Sequence, residues 1–391
     1  MAEIAQIEAG ARLTVDLGAI IANYRTLCAR APGAVCAPVV KADAYGLGAA
    51  GVVPALLEAG ADTFFVAQLS EARELRALAP RAVIYVLNGL VPGSGTELAA
   101  LDARPVLGAM EEVEEWAAFC SSTGKRHAAA LQIDTGMNRL GLSAAEARAL
   151  AGGNAGALDA IDLALVMSHF IASEIPGAES NGRQIAAFEA LRAHFPGIPA
   201  SMANSSGVFL DQKPHYDLVR PGYALYGGNP TPGEPNPMRA VVTLEARIAR
   251  TRIAEAGESV GYDATWTAKR RSHLAIATLG YADGLPWTAA GGTAAGGTAA
   301  GGTAAALVAG RRCPIVGRIS MDLFAIDVTD LGEGKVRRGD FAAVIAPDLT
   351  IDELARASGT IGYDVLTGLG QRCARAYLAA GRSFGAARQR G

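Results

Sequence analysis

The chain has 391 residues, half of them apolar, and a formal net charge of −3. That length can bury a large core and favours more than one domain. Charged residues are dispersed and no apolar run is long enough to span a bilayer, so neither nucleic acid nor a membrane is an expected partner. The opening MAEIAQIEAGARLTVDL has no basic segment leading into an apolar one, so no secretory signal and a cytoplasmic location are expected. The five cysteines (Cys28, Cys36, Cys120, Cys313, Cys373) are far apart, without CxxC or a Cys/His cluster. This suits reduced thiols better than disulfides or zinc, and no metal is expected.

In chain order, short apolar runs alternate with helical patterns. The runs are Val35–Lys41, Thr63–Ala67, Val83–Leu87, Pro105–Gly108, Ala129–Asp134, Leu163–His169, Pro199–Asn204 and Leu218–Arg220. Between them, Glu111–Cys120 places Val113, Trp116 and Cys120 on one helical face, with acids in the first turn where the helix dipole favours them. Arg183–Phe195 does the same with Ile185, Phe188, Leu191 and Phe195. Eight strand candidates, most followed by a helix, predict a (β/α)8 TIM-type barrel over residues 1–237. A doubly wound open sheet usually has fewer strands, and no GxGxxG follows the first strand here.

Beyond the Pro-rich stretch Gly227–Pro237 the period falls to two: Val242, Leu244, Ala246 and Ile248 alternate with Thr243, Glu245 and Arg247. Further runs at Leu274–Leu279, Pro314–Ile319, Leu323–Val328 and Phe341–Ile345 predict a mostly-β domain over residues 238–391. From Thr288 the unit TAAGG recurs three times, and Thr303 begins a fourth copy. A five-residue period fits no solenoid, so this reads as an expanded loop without assigned function.

Barrel active sites sit at the C-terminal ends of the strands. Lys41, Asp134, His169, Asn204 and Arg220 all fall there. Alone, each has an ordinary explanation as a solvated or half-buried polar residue. An amine, imidazole, amide and guanidinium converging on one mouth are hard to explain as packing. A lysine amine there can condense with an aldehyde. If the aldehyde is pyridoxal phosphate, Asn204-Ser205-Ser206-Gly207 could offer a hydroxyl and backbone N–H groups at a helix start, near Arg220-Pro221-Gly222-Tyr223.

VVKADAYGLG around Lys41, DTGMNRLG (134–141), MSHF (167–170), MANSSG (202–207), RPGYALYG (220–227), GYADG (280–284), GRISMD (317–322) and GYDVLT (362–367) together resemble the alanine racemase family in order and spacing. The resemblance runs from about residue 12 to near the C-terminal end. It implies a barrel followed by a β domain, pyridoxal 5′-phosphate as cofactor, and interconversion of L- and D-alanine for peptidoglycan precursors or alanine catabolism.

Racemisation removes the α-proton from one face and returns one on the other, which two bases on opposite faces can do. The resemblance implies Lys41 as the base for D-alanine and Tyr281 as the base for L-alanine. It implies that Tyr281 comes from the neighbouring subunit of a homodimer. A phenol is a weak acid and needs activation by charge or hydrogen bonding, for which His169 and Arg220 are candidates. Arg220 matches the residue that contacts the cofactor's pyridine nitrogen, and arginine can only donate. Tyr45, Ser205, Gly222, Tyr223 and Tyr363 match phosphate-binding positions. Tyr363 also matches an aromatic that narrows the entrance. Arg139 matches the residue holding the substrate carboxylate, and Met321 and Asp322 match substrate-side contacts donated across the dimer. Glu174, Arg318 and Ile361 have two open readings, an entry corridor or ordinary surface.

The chain departs from the family at Gln132, where many members carry a carbamylated lysine; an amide there can accept from Arg139 but brings no charge, so no carbamate and a substituting anion such as chloride are expected. Gly362 stands where proline is common. Three rivals remain at this stage: a racemase of another or broader amino-acid range, a non-catalytic pyridoxal-phosphate barrel protein, and a pyridoxal-phosphate decarboxylase. A binding barrel would lack the second domain with Tyr281, and a decarboxylase would need a late cysteine motif that Cys313 and Cys373 do not obviously supply. A metal hydrolase would need more His/Asp ligands than His169 and Asp134.

Overall fold

A computed structural model of the chain describes residues 8–153, 156–290 and 304–379. Most of the TAAGG segment lies outside the described residues. The described residues form two compact units: one holds those up to Ala19, Tyr226–Gly228 and those from Arg239; the other holds those within Ile20–Leu225 and Asn229–Met238.

The second of these is a barrel. After β1 (Ala11–Asp16), which belongs to the other unit, come β2 (Val35–Cys36), β3 (Thr63–Val66), β4 (Val83–Val86), β5 (Ala103–Leu107), β6 (Ala128–Gln132), β7 (Asp162–Met167), β8 (Ala200–Ser201) and β9 (Leu218–Val219). They pair in parallel in the order β2-β9-β8-β7-β6-β5-β4-β3. Closure comes just past β2, where Val39 bridges Phe65, Val40 N–H donates to the Phe65 carbonyl at 2.9 Å and Phe65 N–H to that of Pro38 at 3.0 Å. The strand β3, TFFV, is buried throughout, as expected of parallel strands covered on both faces. The helix Met110–Thr123 has Glu111 and Glu112 in its first turn, buries Val113, Trp116 and Cys120 three and four residues apart, and ends at Gly124 with φ 66°. The helix expected over 183–195 runs from Glu179 to Arg192 and buries Phe188 and Leu191.

The other unit is mostly β. Its strands are β10 (Val242–Ala254), β11 (Ser259–Val260), β12 (Trp266–Thr267), β13 (Ser272–Ala277), β14 (Ala305–Val308), β15 (Arg311–Val316), β16 (Phe324–Asp327), β17 (Phe341–Ile345) and β18 (Ala374–Leu378). One eight-stranded sheet has the order β13-β16-β15-β14-β17-β10-β1-β18, and β13 also pairs with β10. Two short helices, Ile351–Ala357 and Gly362–Thr367, complete it.

These units interleave along the chain, and β1 lies in the sheet of the mostly-β unit. β1 buries Ala11, Leu13 and Val15 alternately and sits between β10 (antiparallel) and β18 (parallel). Both partners lie more than 200 residues away in sequence. Ala11–Asp16 is not among the eight runs read from the sequence, and its period-two pattern cannot name partners so distant. Among the described residues no helix is long and apolar enough to cross a membrane.

Candidate active site

Lys41 follows the strand segment that closes the barrel, and it is half-buried. Directly after it the backbone turns the wrong way for L-residues: Ala42, Asp43, Ala44 and Tyr45 all have φ between 52° and 55°. Each costs on the order of 1 kcal/mol, so the turn must be held by its surroundings. Ala42 N–H donates to Glu71 Oε1 at 2.7 Å and Ala49 N–H to Asp43 Oδ1 at 2.7 Å. Glu71 Oε2 accepts from Ala67 N–H (2.7 Å) and Gln68 N–H (3.1 Å), so one carboxylate ties the lysine turn to the end of β3 and the next helix start. Burial pushes the Lys41 amine down, helped by Arg139 and opposed by Glu71. The amine is thereby brought closer to its nucleophilic neutral form.

Arg220 leaves β9 fully inside the barrel unit. Its guanidinium donates to Ser201 Oγ, to the Ser168 carbonyl at 2.6 Å and to the Met202 carbonyl at 3.5 Å, and stands 3.4 Å from His169 Nδ1. No carboxylate pairs with it among the described residues. Burial pushes it down to about 9, which still leaves it charged at neutral pH.

His169 follows β7. Burial first, then Arg220, Arg139 and Lys41, push its imidazole down to about 3. It is therefore neutral across the physiological range. Between pH 6.5 and 3 the unfolded chain binds a proton here that the folded chain refuses, so stability falls as pH falls. Wild type should lose about 1–2 kcal/mol more than His169→Gln between pH 7 and pH 5 in denaturant unfolding.

Arg139 lies on the 134–142 loop and is exposed. Asp134 organises that loop by accepting backbone N–H bonds from Gly136, Met137 and Asn138 at 2.8–2.9 Å. Gln132 does not reach the Arg139 guanidinium as expected. Its Nε2 donates instead to the Leu140 carbonyl at 2.8 Å, so the buried amide fixes the backbone beside Arg139. Gln184, unnoticed in the sequence, couples this loop to His169: its Nε2 donates to Thr135 Oγ1 (3.1 Å) and to the His169 carbonyl (2.9 Å).

The segment after Asn204 also differs from expectation. It opens into a three-residue 3-10 turn, Gly207–Phe209, not a helix. Asn204 Oδ1 accepts from Ser173 Oγ (2.8 Å) and Gly207 N–H (2.9 Å). Ser205 Oγ accepts from Gly222 N–H and Ala224 N–H at 3.0 and 3.1 Å, pinning the loop that carries Gly222 and Tyr223. A Cβ at Gly222 would collide with the Tyr45 hydroxyl, so Tyr45, Ser205 and Gly222 form one close-set group.

These residues fit the cofactor expected from the sequence. Lys41, Arg139 and Arg220 supply three cations, His169 stays neutral, and Glu71 is an acid acting on Lys41. Such a mouth suits a ligand bearing phosphate, phenolate and carboxylate groups. Lys41 would hold the aldehyde carbon, Arg220 the ring nitrogen, and Tyr45, Ser205, Gly222 and Tyr223 the phosphate.

The mostly-β unit gathers the remaining candidates. Tyr281 begins the turn Tyr281–Asp283 after β13, and its side chain is exposed. Tyr281 N–H donates to the Ser320 carbonyl (3.2 Å) and Ala282 N–H to that of Met321 (3.1 Å), so Tyr281, Met321 and Asp322 are neighbours. Glycine is required at 280, where a Cβ would strike the Met321 carbonyl, and at 284, where φ is +99° and a Cβ would strike the Gly368 carbonyl. Tyr363 lies in the helix Gly362–Thr367 and is also exposed. Ile361 is exposed, and Arg318 pairs with Asp263 at 3.0 Å.

A closed parallel barrel with an amine and uncompensated cations at its mouth, joined to a mostly-β unit, defines a barrel-type protein for an anionic aldehyde cofactor. Residues 15–230 match the model described as "Alanine racemase, N-terminal domain", and residues 241–377 that of "Alanine racemase, C-terminal domain". The chain is 53% identical over 369 residues to a Methylobacterium sp. (strain 4-46) alanine racemase, covering 94% of this chain and 98% of that one. It is 46% identical over 376 residues to a catabolic alanine racemase of Mesorhizobium japonicum, covering 96% and 95%. The crystal structure of Bartonella henselae alanine racemase with covalently bound pyridoxal phosphate superposes with a TM-score of 0.88 at 38% identity, covering 95% of this chain and all of that one. The chain belongs to the alanine racemase family.

Proposed function

We propose that this protein interconverts L-alanine and D-alanine with pyridoxal 5′-phosphate, supplying D-alanine for peptidoglycan precursors or serving alanine catabolism. The observation that carries the reading is the barrel mouth itself: a half-buried amine pushed down by burial, a neutral imidazole and a buried guanidinium that no carboxylate pairs with among the described residues. When bound, the cofactor withdraws electrons from the substrate's α-carbon and so acidifies its α-proton.

The chain's own residues supply the rest. Lys41 anchors the cofactor at rest and, once substrate has replaced it, moves the α-proton of D-alanine through Nζ. Tyr281 Oη moves the α-proton of L-alanine from the opposite face. Arg139 holds the substrate carboxylate, and Met321 and Asp322 add substrate-side contacts. Arg220 can only donate, so it limits how strongly the cofactor draws electrons and favours proton return over side reactions. Tyr363 narrows the entrance so that a methyl side chain fits best.

The active unit in this reading is a homodimer with shared sites, in which Tyr281, Met321 and Asp322 of one subunit complete the barrel of the other. The exposure of Tyr281 (43%) and Met321 (52%) supports it, since large apolar side chains left exposed together mark contact surfaces. We place the protein in the cytoplasm, where a reducing environment suits its five free thiols. Incubating the holoenzyme with L-alanine and resolving the products by chiral chromatography tests the activity. An approach to an equal mixture is expected. No D-alanine from protein that carries its cofactor would overturn it and move the reading to another amino acid.

A further inference from the structure

We propose that Arg372 is a positioning residue for Tyr281, locking the turn that carries the phenol onto the loop of Met321 and Asp322. The proposal rests on the reading of Tyr281 as the base for L-alanine.

The Tyr281 ring is 43% exposed, so its own packing cannot fix its direction. The backbone turn beneath must do so. Asp283 closes that turn: its Oδ2 accepts from Gly280 N–H at 2.9 Å, and its own N–H donates to the Gly280 carbonyl at 3.0 Å. Asp283 is buried, and a buried carboxylate needs a counter-charge. Arg372 provides it, with Nε 2.8 Å from Asp283 Oδ1. The same guanidinium reaches Asp322 Oδ1 through Nη2 at 2.8 Å. Both carboxylates push the guanidinium further up.

Three segments converge here. The 280–284 turn bonds to the 320–321 backbone through Tyr281 and Ala282. Gly370 N–H donates to the Asp283 carbonyl at 2.9 Å, and a Cβ at Gly370 would lie 3.1 Å from Asp283 Cα. Arg372, two residues on, spans the other two segments with one rigid fork. An exposed ion pair alone contributes little. Here one partner is buried and forms the turn under the phenol, while the other follows Met321.

The test separates position from stability. D-alanine is incubated with holoenzyme in deuterium oxide, and two products are counted: D-alanine deuterated with retention, which needs only Lys41, and L-alanine, which needs Tyr281 as well. In Arg372→Ala, inversion is expected to fall about 30-fold and retention less than about threefold, a change of ratio of at least about tenfold, consistent with a base displaced by a fraction of an ångström. KM should change little, and Arg372→Lys should recover part of the ratio. Asp283→Asn, which keeps the turn's shape but loses the charge pair, should shift the ratio the same way and serves if Arg372→Ala folds poorly. An equal fall in both products, or no fall in either, overturns the proposal. Tyr281→Phe is the benchmark. If it leaves the ratio at the wild-type value, the assignment of Tyr281 fails, whatever Arg372 does.

Discussion

Lys41→Ala is expected to abolish racemisation, with kcat reduced by about 10⁴-fold or more, since one substitution removes both the cofactor anchor and a proton-transfer base. The purified variant should lose the yellow colour of the anchored cofactor while its far-ultraviolet circular dichroism stays that of wild type. The structure explains why folding survives. The barrel closes through backbone bonds of Pro38, Val40 and Phe65, not through the lysine side chain. The strained turn that follows is held by Glu71 at Ala42 N–H, which alanine at position 41 leaves intact. Removing a half-buried ammonium also relieves its repulsion with Arg139. A variant that still racemises at more than a few per cent of the wild-type rate would remove Lys41 from the mechanism.

Arg220→Glu is expected to change which product forms as well as how fast. The guanidinium is enclosed by the Ser168 and Met202 carbonyls and by Ser201 Oγ, and no carboxylate pairs with it among the described residues. A carboxyl in that place faces acceptors, so it is held protonated by burial and repulsion. It then carries a proton it can give away, which arginine does not. Racemisation should fall about 10²–10³-fold, the range for loss of one well-placed polar group, while pyruvate formed per racemisation event rises. Coupling pyruvate to lactate dehydrogenase measures the second quantity directly. A wild-type pyruvate ratio would show that Arg220 does not set the partition.

Much of this was legible from the chain alone. Polar residues just past the strands, Lys41, His169, Asn204 and Arg220, mark the barrel mouth, because parallel strands read as apolar runs and barrel sites lie at their C-terminal ends. Glu71 was less visible, although the Gln68 to Glu71 spacing is that of a capping box. That pattern predicts a helix start and says nothing of the third partner, Ala42 N–H, which lies 29 residues away. Arg372 had no signal at all. A lone arginine between Gln371 and Cys373 becomes meaningful only when Asp283 and Asp322 are folded against it.

Composition, period and motif order by themselves determined the barrel, the mostly-β second unit and the family, because burial patterns and strand-end chemistry are local in sequence. Only the tertiary structure decided that β1 belongs with β10 and β18, that Gln132 grips the Leu140 backbone instead of Arg139, and that His169 stays neutral. Each of these depends on what lies across space. Strand partners and the field of three cations come from residues tens to hundreds of positions apart, and the Leu140 acceptor, eight residues on, depends on how the 134–142 loop folds back; no local pattern encodes such geometry.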